Sequence, residues 1–548
     1  MVRSIILYFF ILASGHVCNG QPDRGSLLLS PHPIEVDSFQ TNHNINLNYL
    51  RATTDFLTNM DVIVWNGLAI PKRKKAFVRH IKHLSESLEH HYQSNIPVDN
   101  SAYELFYELA LFKASLIQSA IENSAGPMSF KRQVKLIKDS KKSKKVFRYP
   151  VIKINDIDSF DPVNSPFWQA VSSPEKSVNR FDELAREKKI KAKKNMVILF
   201  DELSYEGSAP KIKALDLDLD NEWSLKWGDE VHTDVLGSRI FAALGYDVDH
   251  PYFYGENKLT LVFDGSRSVK NYSQLRDSIY AIYKMDLNPF VTTQGKITEA
   301  MAEENQKLKS FVGFEFVRFK KCAIEGRPDR VKRIGSFVPD QLQNYQRKEL
   351  RAALLVHAFI GNWDTREENT LLTTVHEGDY KYHISAAFSD LGTSFGVAVN
   401  YFPGDFKVGL VNEFPWEVAT IHKNEVRLNN PINSILKPYE QATYSDLYWM
   451  ATKIAALTDS ILLDMIDEAG WPKPIATLYF HKLASRRASI LNAFQIEDKH
   501  PIPFDKELTI SENGEAVIEK GKLVTDYDLA HHPESFLSTK GRTRNYGY

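Results

Sequence analysis

Hydrophobic residues along this chain follow a helical period first and a strand period later. Between residues 48 and 123 the apolar positions recur at steps of three and four, as in 103–117, which predicts a small helical domain. After Lys194 the pattern changes: residues 196–200 form a short apolar run, and 212–219 end in an alternation of leucine and aspartate. These two runs predict a β-hairpin whose connection is longer than a tight turn.

A third strand is predicted over residues 222–227, directly after the hairpin. Trp223, Leu225 and Trp227 share one face of this strand, so Lys226 points to the opposite face, where the hairpin connection closes. A helix is then predicted over residues 234–244, and a glycine in the C-cap position ends it.

The remaining pattern predicts a mixture of helices and strands. The predicted elements are a strand pair at 257–264, helices within 274–308 around a loop at 286–293, a strand at 311–321, a helix at 347–360, strands at 370–374 and 380–388, and helices from 415 to 494. Gly361 ends the 347–360 helix and opens the polar segment 362–369, and Asp390 comes just after the 380–388 strand.

The N-terminus has the features of an export signal. Arg3 provides a basic start, an apolar stretch covers residues 5–13, and small or polar residues follow up to Gly20, so residues 1–20 are predicted to be a signal peptide. No apolar stretch reaches the roughly 20 residues that a membrane-spanning helix needs. An exported protein, periplasmic or secreted and without a transmembrane segment, is therefore expected, with a lipid anchor on Cys18 as the alternative.

Composition limits the classes of partner and compartment. The 548 residues carry a formal net charge of -1 at pH 7, so bulk electrostatics favours neither nucleic acid nor an anionic membrane as partner. Cleavage of the signal would leave Cys322 as the only cysteine, which excludes an intrachain disulfide and favours a bacterial protein. The basic run 131–148 is interpreted as a solvated helix face and linker, with contact to an anionic surface as the alternative.

Three side chains within residues 360–396 form a pattern suited to phosphoryl transfer. That reaction needs a carboxylate to orient the attacking hydroxyl, two metal ligands and a lysine on the nucleotide phosphates. Asp364 and Asn369 lie five positions apart in one polar segment, and Asp390 follows the next hairpin. Because hard divalent metals take oxygen ligands, the pattern predicts Asp364 as the catalytic residue and Asn369 with Asp390 as metal ligands.

Other polar residues are assigned no chemistry. His357 lies inside a predicted helix and is expected to pack there, and Ser394 has no G-x-S-x-G elbow, which argues against a hydrolase. The histidine pairs at 90–91 and 531–532 have no partner at metal spacing, so zinc is not expected.

These motifs resemble those of the atypical protein-kinase-like superfamily. The step from Asp364 to Asn369 matches the step from catalytic Asp to metal Asn in the kinase catalytic loop, and residues 390–392 (DLG) resemble the D-F-G triplet. Residues 360–364 (IGNWD) look more like the HipA-type kinases, phosphatidylinositol kinases and Golgi secretory-pathway kinases. Residues 389–396 (SDLGTSFG) are similar to the metal loop of the Golgi group.

The resemblance extends upstream to the predicted hairpin. Its connection ends in GSAPK, which resembles the short phosphate loop of HipA-like proteins and implies that Gly207, Ser208 and Lys211 bind nucleotide phosphates. Lys226 falls where the nucleotide-binding lysine of the third strand belongs. Glu230 is named as the acidic partner in the nucleotide site, with an aspartate one turn further on.

Two departures from the protein-kinase pattern restrict the resemblance. No G-x-G-x-x-G is present in residues 201–211, and Asn362-Trp363 stands where protein kinases have His-Arg, so typical protein-kinase activity is not expected. The resemblance implies an α+β, two-lobed kinase-like fold, with a small antiparallel β lobe, a larger mostly helical lobe and an N-terminal helical extension. The predicted division is a signal peptide at 1–20, a mainly helical extension with a basic linker at 21–190, a kinase-like domain at 191–500 and a polar tail at 501–548.

The predicted function is that of an exported phosphotransferase. It would move the γ-phosphate of ATP, with Mg²⁺ or Mn²⁺, to a protein or small-molecule acceptor. A bacterial periplasm is poor in ATP, which leaves two alternatives open. One is a catalytically inactive kinase-like module that binds a ligand or partner, and the other is transfer of the nucleotide on the same scaffold.

Overall fold

The computed structural model describes most of the chain from residue 147 to residue 497, together with the short strands Leu508–Ile510 and Ala516–Ile518. Its gaps before residue 497 are 155–160, 163–164, 172–173, 189, 191–194, 205–209, 218–220, 229, 329–330, 338, 341, 346, 377–381, 400–405, 430–431, 433–434 and 472. The predicted signal peptide, the predicted helical domain, nearly all of the basic run 131–148 and most of the tail lie outside the described residues.

The described elements alternate between strands and helices. The strands are β1 (Phe147–Pro150), β2 (Met196–Leu203), β3 (Lys211–Asp216), β4 (Asn221–Lys226), β5 (Pro251–Phe263), β6 (Val291–Lys296), β7 (Glu315–Pro328), β8 (Val331–Gly335), β9 (Thr370–His376), β10 (Tyr382–Phe388), β11 (Val397–Val399), β12 (Phe406–Val408), β13 (Ala419–His422) and β14 (Glu425–Leu428). The helices are α1 (Pro174–Glu187), α2 (Glu230–Ala243), α3 (Tyr272–Tyr283), α4 (Glu299–Glu304), α5 (Leu342–Tyr345), α6 (Lys348–Ile360), α7 (Lys437–Glu440), α8 (Tyr444–Ala455), α9 (Asp459–Glu468) and α10 (Lys473–Ala493).

Five strands close into a small barrel in the order β4-β3-β2-β5-β7, with β4 pairing back to β7 and β6 added outside β7. The predicted β2–β3 hairpin is confirmed as an antiparallel pair. Strands β2 and β5 are parallel, whereas the other neighbours in the ring are antiparallel. A parallel pair needs a crossover, which β3, β4 and α2 provide here. The predicted antiparallel small lobe is therefore wrong at this one pair.

Alternate residues of the barrel strands fill its interior. Ile198 and Phe200 of β2 and Trp223 and Leu225 of β4 are buried in one apolar cluster, as is Trp227 just after β4. This is the two-residue period of a strand with one buried face, and the predicted apolar face of the third strand is confirmed.

An insertion between β5 and β7 contains α3, β6 and α4. The predicted strand pair at 257–264 is wrong, because this stretch belongs to the single long strand β5. The first predicted helix of this region is confirmed as α3, which ends at the left-handed cap Lys284 with φ of 57°, just before the predicted loop at 286–293. The edge strand β6 then occupies the end of that loop and the start of the second predicted helical stretch, where the prediction is wrong. Leu275 and Ile279 bury the inner face of α3 against the barrel cluster.

The second unit is mostly helical and is built around α6, whose residues are all buried. Helices α7 to α10 pack around it, with one sheet in the order β10-β9-β8 and another in the order β1-β14-β13. The predicted helical run from residue 415 is wrong at β13 and β14. Lys423 and Asn424 have φ of 46° and 62°, which suits a two-residue hairpin turn rather than a helix.

The barrel comes first in the chain and the helical unit follows it. Their two apolar clusters are separate, one inside the barrel and one around α6. The interpretation of these units as kinase-like lobes stays a proposal. In the described part of the chain, no helix has both the length and the hydropathy needed to cross a bilayer.

Candidate nucleotide and metal site

Lys226, the last residue of β4, forms an ion pair with helix α2. Its Nζ donates to Oδ2 of Asp234 at 3.2 Å, and Oε2 of Glu325 from β7 lies 3.8 Å away. The side chain of Lys226 is 13% exposed, and those of the two carboxylates are 4% and 5% exposed. Burial of a charge is costly unless it is paired, so the two carboxylates fix the ammonium group in place.

The lysine pair at the end of the β3–β4 ladder is electrostatically distinctive. Burial alone lowers the pKa of Lys226, but the carboxylates of Asp234 and then Asp390 outweigh it and hold this pKa well above its ordinary value. Lys211 lies directly opposite Lys226 in the ladder. Burial and then the charge of Lys226 lower the pKa of Lys211. Two neighbouring ammonium groups suit an anion with several charged oxygens, such as a polyphosphate.

Helix α2 also contacts the 389–396 loop that carries the predicted metal ligand. Oδ1 of Asp234 accepts a hydrogen bond from the backbone N–H of Leu391 at 3.1 Å. The close approach depends on Gly237, because a Cβ at that position would lie 2.9 Å from Cβ of Leu391. Asp234 therefore connects Lys226 of the barrel to the 389–396 loop.

The loop after α6 is organised by side chains as well as by its backbone. Gly361 ends the helix with φ of 64°. Oδ1 of Asn362 accepts hydrogen bonds from Oγ1 of Thr393 at 2.9 Å and from the backbone N–H of Asp364 at 3.1 Å. The backbone N–H of Trp363 donates to the carbonyl of Thr393 at 2.9 Å. These bonds fix Asp364 against the 389–396 loop.

Asn369 and Asp390 are brought to the same place by short bonds. Nδ2 of Asn369 donates to the carbonyl of Asp364 at 2.8 Å, and the carbonyl of Asn369 accepts from the N–H of Ser389 at 2.9 Å. Asp390 follows with an exposed side chain and φ of 51°. A left-handed aspartate is uncommon, and such backbone strain clusters at functional sites. Asp364, Asn369 and Asp390 therefore converge, while their roles remain predictions.

Arg366 is a charged neighbour of the predicted catalytic residue. Its Nε and Nη2 donate to the two carboxylate oxygens of Asp364, both at 2.6 Å. The side chain of Arg366 is 54% exposed and that of Asp364 is 12% exposed. The hydrogen bonds to Asp364 raise the pKa of Arg366, and the charge of Asp390 adds to this effect. The site therefore carries a solvent-facing cation beside its central carboxylate.

The donor chemistry fits the divalent cation that the resemblance implies. Within the described residues, the carboxylate of Asp390 and Oδ1 of Asn369 have no hydrogen-bonding partner. Both are oxygen donors, which Mg²⁺ prefers, and Mg²⁺ commonly takes few protein ligands and completes its shell with water and phosphate oxygens. No group of three or more His, Cys, Asp or Glu side chains in the described ranges could hold a metal ion by itself.

The remaining predicted nucleotide-binding residues have different outcomes. Gly207 and Ser208 lie outside the described residues. Glu230 begins α2 and packs against Gly392, where a Cβ would lie 3.0 Å from its side chain. Asp234, the aspartate one turn further on, makes a direct bond to Lys226. The charge of Glu230 is also among those that outweigh burial and raise the pKa of Lys226, so both carboxylates of this helix face act on the lysine.

Comparisons with protein-family models, curated proteins and solved structures found no match for this chain. The resemblance to atypical kinases therefore rests on the residues of the chain itself.

Three residues of the site were not singled out from the sequence. Arg366 could have been identified from the sequence as a basic residue close to the predicted catalytic aspartate. Glu325 could have been identified as a charged residue within an apolar strand. No feature of the sequence identifies Thr393, because its role depends on the approach of two distant loops.

His357 and Ser394 are packing residues, as the sequence predicts for His357. His357 is 2% exposed, with Nδ1 bonded to Asn362 at 3.1 Å and Nε2 bonded to the hydroxyl of Tyr439 at 2.8 Å. Burial lowers the pKa of His357 to about 3, so it is neutral at pH 7. Ser394 is fully buried and is therefore inaccessible to a substrate.

Proposed function

We propose that this chain is an ATP- and magnesium-dependent phosphotransferase that acts on an acceptor hydroxyl group. One observation carries the proposal. Asp234 binds both Lys226 and the backbone of the 389–396 loop, and that loop is bonded in turn to the segment with Asp364 and Asn369. A phosphate-binding cation, a general base and two metal ligands are thereby connected, which is the set of groups that phosphoryl transfer requires.

Each residue has a distinct task in this reaction. Lys226 and Lys211 hold the nucleotide phosphates by charge. Asp364 orients the acceptor hydroxyl and takes its proton as the new bond from oxygen to the γ-phosphorus forms. The bond between that phosphorus and the bridging oxygen of ADP breaks in the same displacement, so ADP leaves with the bonding electron pair.

Asn369 and Asp390 would hold the metal ion through Oδ1 and the carboxylate. When bound, Mg²⁺ supplies positive charge that offsets the charge of the phosphate oxygens. Asp390 already faces solvent without a protein partner among the described residues, so no existing bond must break for this task.

Arg366 affects how Asp364 becomes available to an acceptor. Because the Arg366 side chain is 54% exposed, water can replace Asp364 as its hydrogen-bond partner when the bidentate contact opens. Once released, the guanidinium can bind a transferring phosphoryl group, for which its planar fork is suited. This exchange would leave the Asp364 carboxylate free to accept the proton.

Thermal melting with ATP and Mg²⁺ tests the nucleotide site first. Ligand at 100 times its dissociation constant stabilises the folded state by about 2.7 kcal/mol, which raises the melting temperature. The matched variant is Asp390→Asn, because asparagine tolerates the left-handed backbone of Asp390 whereas alanine does not. A metal-dependent shift in the natural chain and a much smaller one in the variant would support the site.

The mass of a modified acceptor separates the enzymatic alternatives. Phosphate and nucleotide additions differ plainly in mass, so incubation with ATP, Mg²⁺ and candidate acceptors distinguishes phosphotransfer from nucleotidyl transfer. A thermal shift without any product would favour an inactive nucleotide-binding module. No shift in the natural chain would refute the proposed nucleotide site.

A further inference from the structure

A segment ahead of the barrel contacts the C-terminal end of helix α2, and we name its described residues within 161–190 the strap. Nε1 of Trp168 donates to the carbonyl of Leu244 at 2.7 Å, and the N–H of Gln169 donates to the carbonyl of Gly245 at 2.9 Å. A Cβ on Gly245 would lie 2.4 Å from the Gln169 carbonyl, so only glycine permits this approach. The strap therefore binds the backbone at the end of α2.

The same part of the strap is anchored to the helical unit. The ring of Trp168 lies edge to face against Trp449 of α8, with centroids 5.0 Å apart. Oγ of Ser165 donates to Oε1 of Glu349 in α6 at 2.7 Å. Trp168 and Ser165 are both buried. The end of α2 is thereby tied to α6 and α8 through the strap.

A second contact lies about one turn before the end of α2, at Arg239. The guanidinium of Arg239 stacks on the ring of Phe181 from α1 at 3.3 Å from its centroid, and it forms an ion pair with Glu468 of α9. Just after α2, Lys188 of the strap forms an ion pair with Asp247 at 2.8 Å. The strap thus contacts α2 and the segment after it at three separate points.

These contacts bear on the site because they hold the C-terminal end of the helix whose N-terminal half carries Asp234. Asp234 and Leu244 are separated by about 15 Å along the helix axis, at about 1.5 Å per residue. A pivot of about 10° over that length moves one end by roughly 2.6 Å relative to the other. A displacement of that size breaks the 3.2 Å bond between Lys226 and Asp234.

We infer that the strap is a built-in positioning element that fixes α2 so that Asp234 holds Lys226, and this inference rests on the proposed function of that site. Trp168 and Phe181 are positioning residues, since they act through α2. The substitution Trp168→Phe removes the hydrogen bond to Leu244, Phe181→Leu removes the ring that stacks on Arg239, and both keep most of the buried volume.

The rate of chemical labelling at Lys226 measures whether the strap keeps the bond between Lys226 and Asp234 in place. A small amine-reactive acetylating reagent is applied to the nucleotide-free chain, and the rate at Lys226 is compared with that at exposed Lys284 in the same digest. Loss of the Asp234 bond lowers the pKa of Lys226 and exposes it, so both strap variants are expected to label several-fold faster than the natural chain. Ile490→Val, in the core of α10, is the control for general destabilisation.

The outcomes separate the strap from the proposed function. If Lys226 is labelled faster in both strap variants but at the natural rate in Ile490→Val, the strap positions α2. The strap variants should then also show a smaller melting shift with ATP and Mg²⁺. If the strap variants are as destabilised as Ile490→Val but Lys226 is still labelled at the natural rate, the inference is overturned. The strap would then contribute to stability only. If the natural chain shows no nucleotide shift, the proposed function fails, yet the labelling result still decides the role of the strap.

Discussion

The bond between Lys226 and Asp234 gives the sharpest test of the site, through the substitution Asp234→Asn. The asparagine keeps the shape of the side chain, and its Oδ1 can still accept the hydrogen bond from Leu391 that Asp234 accepts at 3.1 Å. Its amide NH₂ group, however, replaces the carboxylate oxygen that lies 3.2 Å from the ammonium of Lys226. The substitution therefore removes the negative charge and keeps the shape of the side chain.

The expected loss of stability follows from burial. Removal of one partner from a buried ion pair costs about 3–5 kcal/mol, because the other charge stays buried and unpaired. Glu325 remains 3.8 Å from Lys226 and offsets part of this cost. We therefore expect Asp234→Asn to lower the free energy of unfolding by about 2–3 kcal/mol, somewhat less than that range.

Urea unfolding of a double-mutant cycle measures the bond itself. The cycle combines Asp234→Asn with Lys226→Met, and we expect a coupling energy of about 2 kcal/mol. Asp264→Asn is the matched control, since Asp264 bonds Ser266 in a surface turn and its substitution should change stability by less than about 0.5 kcal/mol. If the effects of the two substitutions on stability add within about 0.5 kcal/mol, Asp234 does not stabilise the charge of Lys226 and the reasoning is refuted.

Three other substitutions test the surroundings of the site. His357 has a pKa of about 3 in the folded chain and an ordinary value in the unfolded chain. Its contribution to stability is therefore present above about pH 6.5 and is lost as the pH falls toward 3. Between these pH values, His357→Gln should reduce the pH dependence of the free energy of unfolding in urea by about 1.4 kcal/mol per pH unit. Gly396→Ala would place a Cβ 1.9 Å from the carbonyl of Leu410 at φ of 100°, and should cost more than about 3 kcal/mol by thermal melting, whereas Gly265→Ala meets no atom within 4 Å and should cost about 1 kcal/mol of backbone strain. Arg366→Ala should still give a cooperative thermal melt yet reduce phosphorylated product at least about tenfold by mass spectrometry, and an unchanged yield would remove Arg366 from the proposed reaction.

Local patterns sufficed for the parts of the fold that depend on neighbours in sequence. Alternation of apolar residues identified the buried face of β4 and the opposite orientation of Lys226. Gly361 identified the end of α6, which the structure places at Ile360 with Gly361 as its left-handed cap. The convergence of Asp364 and Asn369 was predictable for the same reason, because both belong to one short loop.

Contacts between distant segments were not predictable in this way. Helix α2 is buried on nearly every side, so its periodicity does not indicate which carboxylate faces Lys226, and Glu230 and Asp234 looked alike. The hairpin turn at Lys423 and Asn424 lacks the glycine that usually signals a left-handed turn, so β13 and β14 were mistaken for helix.

The charge balance of the site argues that nucleotide and metal bind together. Within the described residues Asp390 has no hydrogen-bonding partner, but its charge, after that of Asp234, raises the pKa of Lys226. A polyphosphate alone would be attracted by the lysines but would lie near the Asp390 carboxylate, which repels it. A cation alone would be attracted by Asp390 but would lie near the charge of Lys211, which repels it. The arrangement therefore favours the complex of the two over either component, and melting shifts with ATP alone or Mg²⁺ alone should add up to less than the shift with both.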